Sequence, residues 1–189
     1  AEALLHTLPL FASSSSLASL GTAPLVRPAP SGLVPLAGEG ANVKDTDHSL
    51  VVAIGCGMGH DLRAQKILHD ALKLDTTLVL DADALNILAM RPDLRSLLAT
   101  RKGQSVITPH PGEAARLLGT SSEAVQAARQ SSAQELARKL NCSVVLKGAG
   151  SLCVTREAKI WLNNSGNPGM SGPGMGDVLS GMIAAFIAQ

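Results

Sequence analysis

The chain has 189 residues, 46% hydrophobic and 16% charged, with 16 Lys and Arg against 15 Asp and Glu. That is one domain's worth of chain with ample apolar material for a core. A net charge of +1 and an aromatic content of 2%, with no Tyr, offer neither a basic excess for phosphate backbones nor ring platforms for bases. Nucleic acid is therefore not an expected partner. The longest apolar stretches, such as Ile183 to Ile187, fall well short of the roughly 20 residues that cross a bilayer, so no membrane association is expected. Cys56, Cys142 and Cys153 show no C-x-x-C pair or metal-ligand spacing, and their odd number argues against a full disulfide set. They read as reduced thiols in a cytoplasmic protein.

Residues 1–48 read as a segment distinct from 49–189, because Ser13 to Ser16 and the Pro/Gly-rich run from Pro24 to Gly40 interrupt any steady period. The apolar start lacks the basic region of a secretory signal and is broken by His6, Pro9 and the serines. The absence of an initial Met, and an end at Gln189 inside an apolar helical pattern, point to a fragment of a longer protein. From Ser49 the pattern is regular. Leu50 to Ile54 predicts a strand buried on both faces, and Asp61 to Leu74 a helix, with Ile67, Leu68, Ala71 and Leu72 at helical spacing. Thr77 to Leu80 predicts a second strand, leading into a helix over Ala84 to Met90 that stops before Pro92. Ser105 to Ile107 is a third strand, followed by helices over Glu113 to Leu118 and Ser122 to Leu140. Ser143 to Leu146 is a fourth, Leu152 to Val154 and Ile160 to Leu162 form a hairpin, and Asp177 to Gln189 is a final helix. Buried strands alternating with amphipathic helices imply an α/β layered fold with a mostly parallel sheet.

In such sheets ligands collect beyond the carboxyl ends of the strands, so the turns there carry the functional weight. In Gly55-Cys56-Gly57-Met58-Gly59, alternate glycines either bring backbone N–H groups close to an anion or simply make a tight turn. Asp81-Ala82-Asp83-Ala84-Leu85-Asn86 sets two carboxylates and an amide where a strand gives way to a helix. There Asp83 is either the helix N-cap or, with Asp81, part of a shell around a metal–nucleotide complex. Thr108-Pro109-His110-Pro111-Gly112-Glu113 brackets a histidine between prolines, which favours a ligand-contacting His110 over a structural one, with Glu113 a first-turn helix carboxylate. Lys147-Gly148-Ala149-Gly150 offers a cation beside room for phosphate oxygens, or a snorkelling surface lysine. The glycine-dense run Gly166 to Asp177 enters a helix and leaves N–H groups facing an anion. A carboxylate beside such a site, Asp177, is unfavourable unless it acts on a proton or caps the helix.

Together these five segments, in this order, resemble the ribokinase-like superfamily and, within it, the ADP-dependent (S)-NAD(P)H-hydrate dehydratases, over roughly residues 49–189. The resemblance implies a three-layer α/β/α fold with a mostly parallel central sheet. It also implies an enzyme that restores hydrated NADH or NADPH with ADP, or ATP in its place, as phosphoryl donor and Mg²⁺ as companion ion, leaving AMP and phosphate. Asp177 would take the hydroxyl proton, and the amides of Gly174, Met175 and Gly176 would hold the transferring phosphoryl group. Lys147, Gly148, Ala149, Gly150 and Ser151 would line the AMP portion. Gly57, Gly59, His110 and Asp177 would face the hydrated dinucleotide, with Asp81, Asp83, Asn86 and Glu113 in support and no residue binding metal directly. A homo-oligomer and a fused or separate NAD(P)H-hydrate epimerase are the implied partners.

The sequence also departs from the family pattern. The usual amino-terminal strand and glycine-rich loop is not recognisable in residues 1–48, and Cys56 stands where proline is usual. Gly172-Pro173 replaces a hydroxyl and a backbone donor, which weakens the phosphate site by about 1 kcal/mol. The competing readings are a ribokinase-like kinase of a vitamin precursor, and a nucleotide-binding module that has lost catalysis.

Overall fold

A computed structural model of the chain describes residues 50–189. The readings of residues 1–48, including their separation from the rest, lie outside the described residues. The elements run β1 (Val51–Ile54), α1 (Leu62–Leu72), β2 (Thr77–Leu80), α2 (Ala82–Met90), α3 (Pro92–Ala99), β3 (Ser105–Ile107), α4 (Pro111–Leu118), α5 (Ser122–Ala127), α6 (Arg129–Leu140), β4 (Ser143–Leu146), β5 (Ser151–Val154), β6 (Ile160–Asn163), a 3₁₀ turn (Pro168–Ser171) and α7 (Met175–Ile187). The strands form one sheet in the order β1-β2-β3-β4-β5-β6. Its first four are parallel, and β5 and β6 return antiparallel as a hairpin.

Successive side chains of a strand point to opposite faces, and the two cores divide on that period. Leu78, Leu80, Ile107, Val144, Leu146, Leu152 and Val154 meet α1 to α6 on one face. Val79, Val106, Val145 and Cys153 meet Ile183 of α7 on the other, with Leu179 and Ile187 packed around them. In β2, β3 and β4 the apolar runs were the sign of this two-sided burial, and the expected helix–sheet–helix layering holds. The expectation fails for β1: none of Val51 to Ile54 is buried, Ala53 and Leu50 are exposed, and among the described residues the strand stands at the end of the sheet with a neighbour on one side only.

Two expectations change. Pro92 ends α2 and also opens α3, a helix not anticipated: a proline at N1 lacks only an N–H that would have no helical partner, and Leu94 and Leu98 of the new helix are buried. The single helix expected over Ser122 to Leu140 breaks at Ala128, whose backbone (φ −134°, ψ 49°) is not helical.

The parallel register brings the strand ends level. Ile54 pairs with Leu80 and Leu80 with Ile107, so Gly55, Asp81 and Thr108 follow side by side. The backbone closes there through Asp81 N to Ile54 O (3.1 Å), Thr108 N to Leu80 O (3.1 Å) and Lys147 N to Pro109 O (2.9 Å). Gly55, at φ +127°, has no room for a side chain, since a Cβ would stand 1.9 Å from the Asp81 carbonyl oxygen.

Candidate active site

At the carboxyl end of the sheet a buried polar cluster joins β2, β3, β4 and α7. Asp81, almost wholly buried, is its centre. One carboxylate oxygen, Oδ1, accepts from Lys147 Nζ (2.8 Å) and from the Ala82 amide (2.8 Å), and Oδ2 accepts from Ser180 Oγ (2.7 Å). Ser180 also lies 3.4 Å from Thr108 Oγ1, which is likewise buried. Glu113 completes the cluster, with Oε2 3.9 Å from Lys147 Nζ. Every buried polar group in this set has a partner, as a low-dielectric site requires.

The helix caps distribute the work differently from expectation. Asp81, not Asp83, caps α2, because the helix starts at Ala82, two residues earlier than the apolar period indicated. Asp83 instead ties down the glycine turn, accepting from Gly59 N (2.8 Å) and standing 3.0 Å from His60 Nε2. The Gly59 amide is thus used internally, while nothing crowds Gly57. His110 is the N-cap of α4: its Nδ1 accepts from Gly112 N (3.0 Å) and Glu113 N (3.4 Å), and Glu113 Oε2 accepts from His110 N (2.8 Å). This is a capping box with histidine in the hydroxyl's place. Because Nδ1 accepts, this network puts the proton of the neutral ring on Nε2, and the side chain is half exposed. Glu113 has the first-turn role expected of it and is buried as well. Asn86 sits apart from the cluster, accepting from Arg116 Nε (2.9 Å). These two residues, with His60, Ala89 and Met90, line a cleft of about 520 Å³ that neither Lys147 nor Asp177 borders.

Lys147 is no snorkelling surface residue, since its ammonium group is held by Asp81. The loop behind it is braced by Arg129 Nη2, which donates to the carbonyls of Leu146 (3.3 Å), Lys147 (3.3 Å) and Gly150 (3.1 Å). Ser151 Oγ closes the same loop on Gly148 O (3.0 Å). Arg129 reaches it only because the helix breaks at Ala128, and no signal in the sequence pointed there. Ser180 did carry a signal: it is the only side chain with a hydrogen-bonding group between Asp177 and Gln189.

Gly174 opens α7 in the left-handed region (φ +81°), and the helix has no side-chain cap. Met175 N turns back onto Gly172 O (3.3 Å), and the next amides and the helix dipole lie beside Lys147, an arrangement suited to an anion. Gly176 lies over the Asp81–Lys147 pair: a Cβ there would stand 3.5 Å from Lys147 Nζ and 3.6 Å from Asp81 Oδ2. Asp177 is exposed, and its carboxylate lies beside the Cys56 thiol of the first glycine turn. Partial desolvation in the turn pushes that thiol up to about 12, with the neighbouring Asp177 carboxylate and the negative charge of Asp81 acting in the same direction and Lys147 against them. The thiolate is the nucleophile, so Cys56, although exposed, is expected to react with iodoacetamide at neutral pH more than tenfold slower than an ordinary surface cysteine. Asp177→Asn should speed that alkylation, which mass spectrometry of the labelled peptide would show. Among the described residues, no group of three or more His, Cys, Asp or Glu is placed to hold a metal ion, and no helix is long and apolar enough to cross a membrane.

A sequence model of the family described as NAD(P)H-hydrate dehydratase matches residues 22–189. The chain is 42% identical over 138 residues to the ADP-dependent (S)-NAD(P)H-hydrate dehydratase of Neisseria meningitidis serogroup B, covering 72% of this chain and 46% of that protein. It is 42% identical over 139 residues to the bifunctional NAD(P)H-hydrate repair enzyme of Escherichia coli K12, covering 74% of this chain and 26% of the relative. Among solved structures, the ADP/ATP-dependent NAD(P)H-hydrate dehydratase from Bacillus subtilis, co-crystallised with ATP and Mg²⁺, is similar with a TM-score of 0.61 and 31% identity. That match covers 73% of this chain and 47% of that one. The chain thus spans about half the length of the single-function relative and about a quarter of the bifunctional one.

Proposed function

The chain belongs to the NAD(P)H-hydrate dehydratase family, and from that premise we propose that it returns hydrated NADH and NADPH to the reduced cofactors, using ADP and releasing AMP and phosphate. The observation that carries this reading is the uncapped amino terminus of α7, with Asp177 in its first turn and Lys147 beneath it.

The ring hydroxyl of the hydrated cofactor gives its proton to Asp177 as its oxygen attacks the terminal phosphorus of ADP. The P–O bond to AMP breaks; the phosphate group then leaves the ring carbon with the C–O electron pair, and the neighbouring ring carbon gives up a proton to water, whose C–H electron pair re-forms the ring double bond of the reduced nicotinamide. The amides of Gly174 and Gly176, with that of Met175 shared with the Gly172 carbonyl, stabilise charge on the transferring group, and catalysis is mostly positioning. Lys147, Gly148, Ala149, Gly150 and Ser151 hold the AMP portion, in a loop kept in shape by Arg129. Gly57, Gly59 and His110 line the side from which the dinucleotide enters, and His110 presents Nε2–H. Asp81, Asp83 and Glu113 hold the framework.

The carboxylates of Asp81, Glu113 and Asp177 outnumber the single Lys147 ammonium, so ADP enters with Mg²⁺, which neutralises phosphate charge. With no cluster built for it among the described residues, the ion fits as one held by phosphate oxygens and water. ATP in place of ADP, a homo-oligomeric state, a cytoplasmic setting and an epimerase as a fused or separate partner belong to the same proposal.

The test is recovery of the near-ultraviolet absorbance of reduced nicotinamide from hydrated NADH with Mg²⁺, with and without ADP. ADP-dependent recovery is expected, and its absence with an intact fold would overturn the reading. A second measurement separates the two roles of His110. Asparagine caps helices well, so His110→Asn should stay within about 0.5 kcal/mol of the parent in chemical denaturation, whereas His110→Ala should lose about 1 kcal/mol. A fall in turnover shared by both variants would then belong to the ring rather than the cap.

A further inference from the structure

We propose that Ser180 is a positioning residue for catalysis: through Asp81 it sets the rotation of α7 about its axis and so the place of the Asp177 carboxylate. The inference rests on the reading of Asp177 as the base. No side chain caps the first turn of α7, and Met175, Asp177 and Val178 are exposed, so its local ties are one backbone bond, Met175 N to Gly172 O (3.3 Å), and the neighbouring Cys56 thiol. Along a helix, residues four apart lie on one face. Gly176 and Ser180 therefore form a single stripe, and that stripe rests on Asp81: Gly176 above Oδ2 and Lys147, Ser180 donating to Oδ2 at 2.7 Å. The apolar residues Leu179 and Ile183 pack α7 on the sheet but are non-directional, so they leave its rotation loosely set. A hydrogen bond to a buried carboxylate is directional and charge-assisted, and its acceptor is itself held by Lys147 and the Ala82 amide.

The lever is long enough to matter. Side chains reach about 5–6 Å from a helix axis, so a rotation of about 10° shifts the Asp177 carboxylate by roughly 1 Å. Displacements of that size cost catalysis up to about a hundredfold. The Lys147–Ser151 loop is braced by Arg129 rather than by α7, so binding of the AMP portion, which carries most of the nucleotide's contacts, should be spared.

Ser180→Ala is therefore expected to lower kcat by about tenfold or more while KM for ADP stays within about twofold. Hydrogen exchange of the amides from Val178 to Gly181 should quicken at least several-fold, with those of α6 unchanged. In a double-mutant cycle with Asp81→Ala the two effects on kcat should be strongly non-additive, because each substitution removes the Ser180–Asp81 bond. Ser180→Cys fills nearly the same space with a weaker donor, and gives the same pattern in smaller measure should the alanine variant fold poorly. Additive effects, an unchanged kcat, or exchange in the first turns of α7 equal to the parent's would each overturn the proposal. The exchange measurement needs no turnover. A parent protein without ADP-dependent recovery would overturn the proposed reaction, while exchange in the Ser180 variants would still decide whether Asp81 and Ser180 hold α7.

Discussion

Asp177→Asn should lower turnover of hydrated NADH by about 10²–10⁴-fold while leaving ADP affinity within a few-fold of the parent. The amide has the carboxylate's shape, keeps a carbonyl oxygen beside the Cys56 thiol and removes only the capacity to take a proton. Asp177 is exposed and makes no contact with the apolar cores, so the melting temperature should hardly move. Steady-state kinetics with titration calorimetry for ADP checks both halves. Turnover near that of the parent would remove Asp177 from the chemistry and leave the amino terminus of α7 as an anion site alone. Loss of ADP binding as well would mean that the carboxylate acts on the nucleotide's companion ion or on the fold of the glycine loop.

The second large effect is on stability. Asp81→Ala should destabilise the fold by about 3 kcal/mol, the lower end of what removing one member of a buried ion pair costs. The low end applies because the Lys147 side chain is 21% exposed and keeps Glu113 at 3.9 Å. The substitution also leaves Ser180 Oγ without its acceptor and the Ala82 amide without its cap. For a chain of this size that corresponds to a fall in melting temperature of about 6–12 °C. Lys147→Met should cost less than Asp81→Ala: it leaves Asp81 with two hydrogen-bond donors, whereas Asp81→Ala strips three donors of their acceptor. A loss below about 1 kcal/mol for Asp81→Ala would mean that water replaces the carboxylate, and that the cluster does not hold α7 to β2.

The strands were legible because each is a short run dominated by apolar residues: β2 to β5 set a buried apolar run behind a single Thr or Ser, while β1 and β6, no less apolar, are only partly buried. The order of turns after them was legible because glycine, proline and aspartate cluster there for reasons of backbone geometry. Helix boundaries were less so. Pro92 marks a stop in the sequence pattern and is equally a start, and Ala128 breaks a helix that its own propensity would continue, just before Arg129, which bonds the carbonyls of the 146–150 loop.

What the sequence determined by itself is the layered α/β class, the mostly parallel sheet and the family to which the turns belong. These follow from local periodicity and from residue types that tolerate few alternatives. Only the tertiary structure decided how the charges are partnered. Asp81 rather than Asp83 became the cap and the centre of the cluster, Lys147 was drawn to a carboxylate, Ser180 met Asp81 across 99 residues, and the Cys56 thiol reached Asp177. Periodicity specifies which face a residue occupies, but a hydrogen bond between distant segments depends on where the sheet's register brings their ends level.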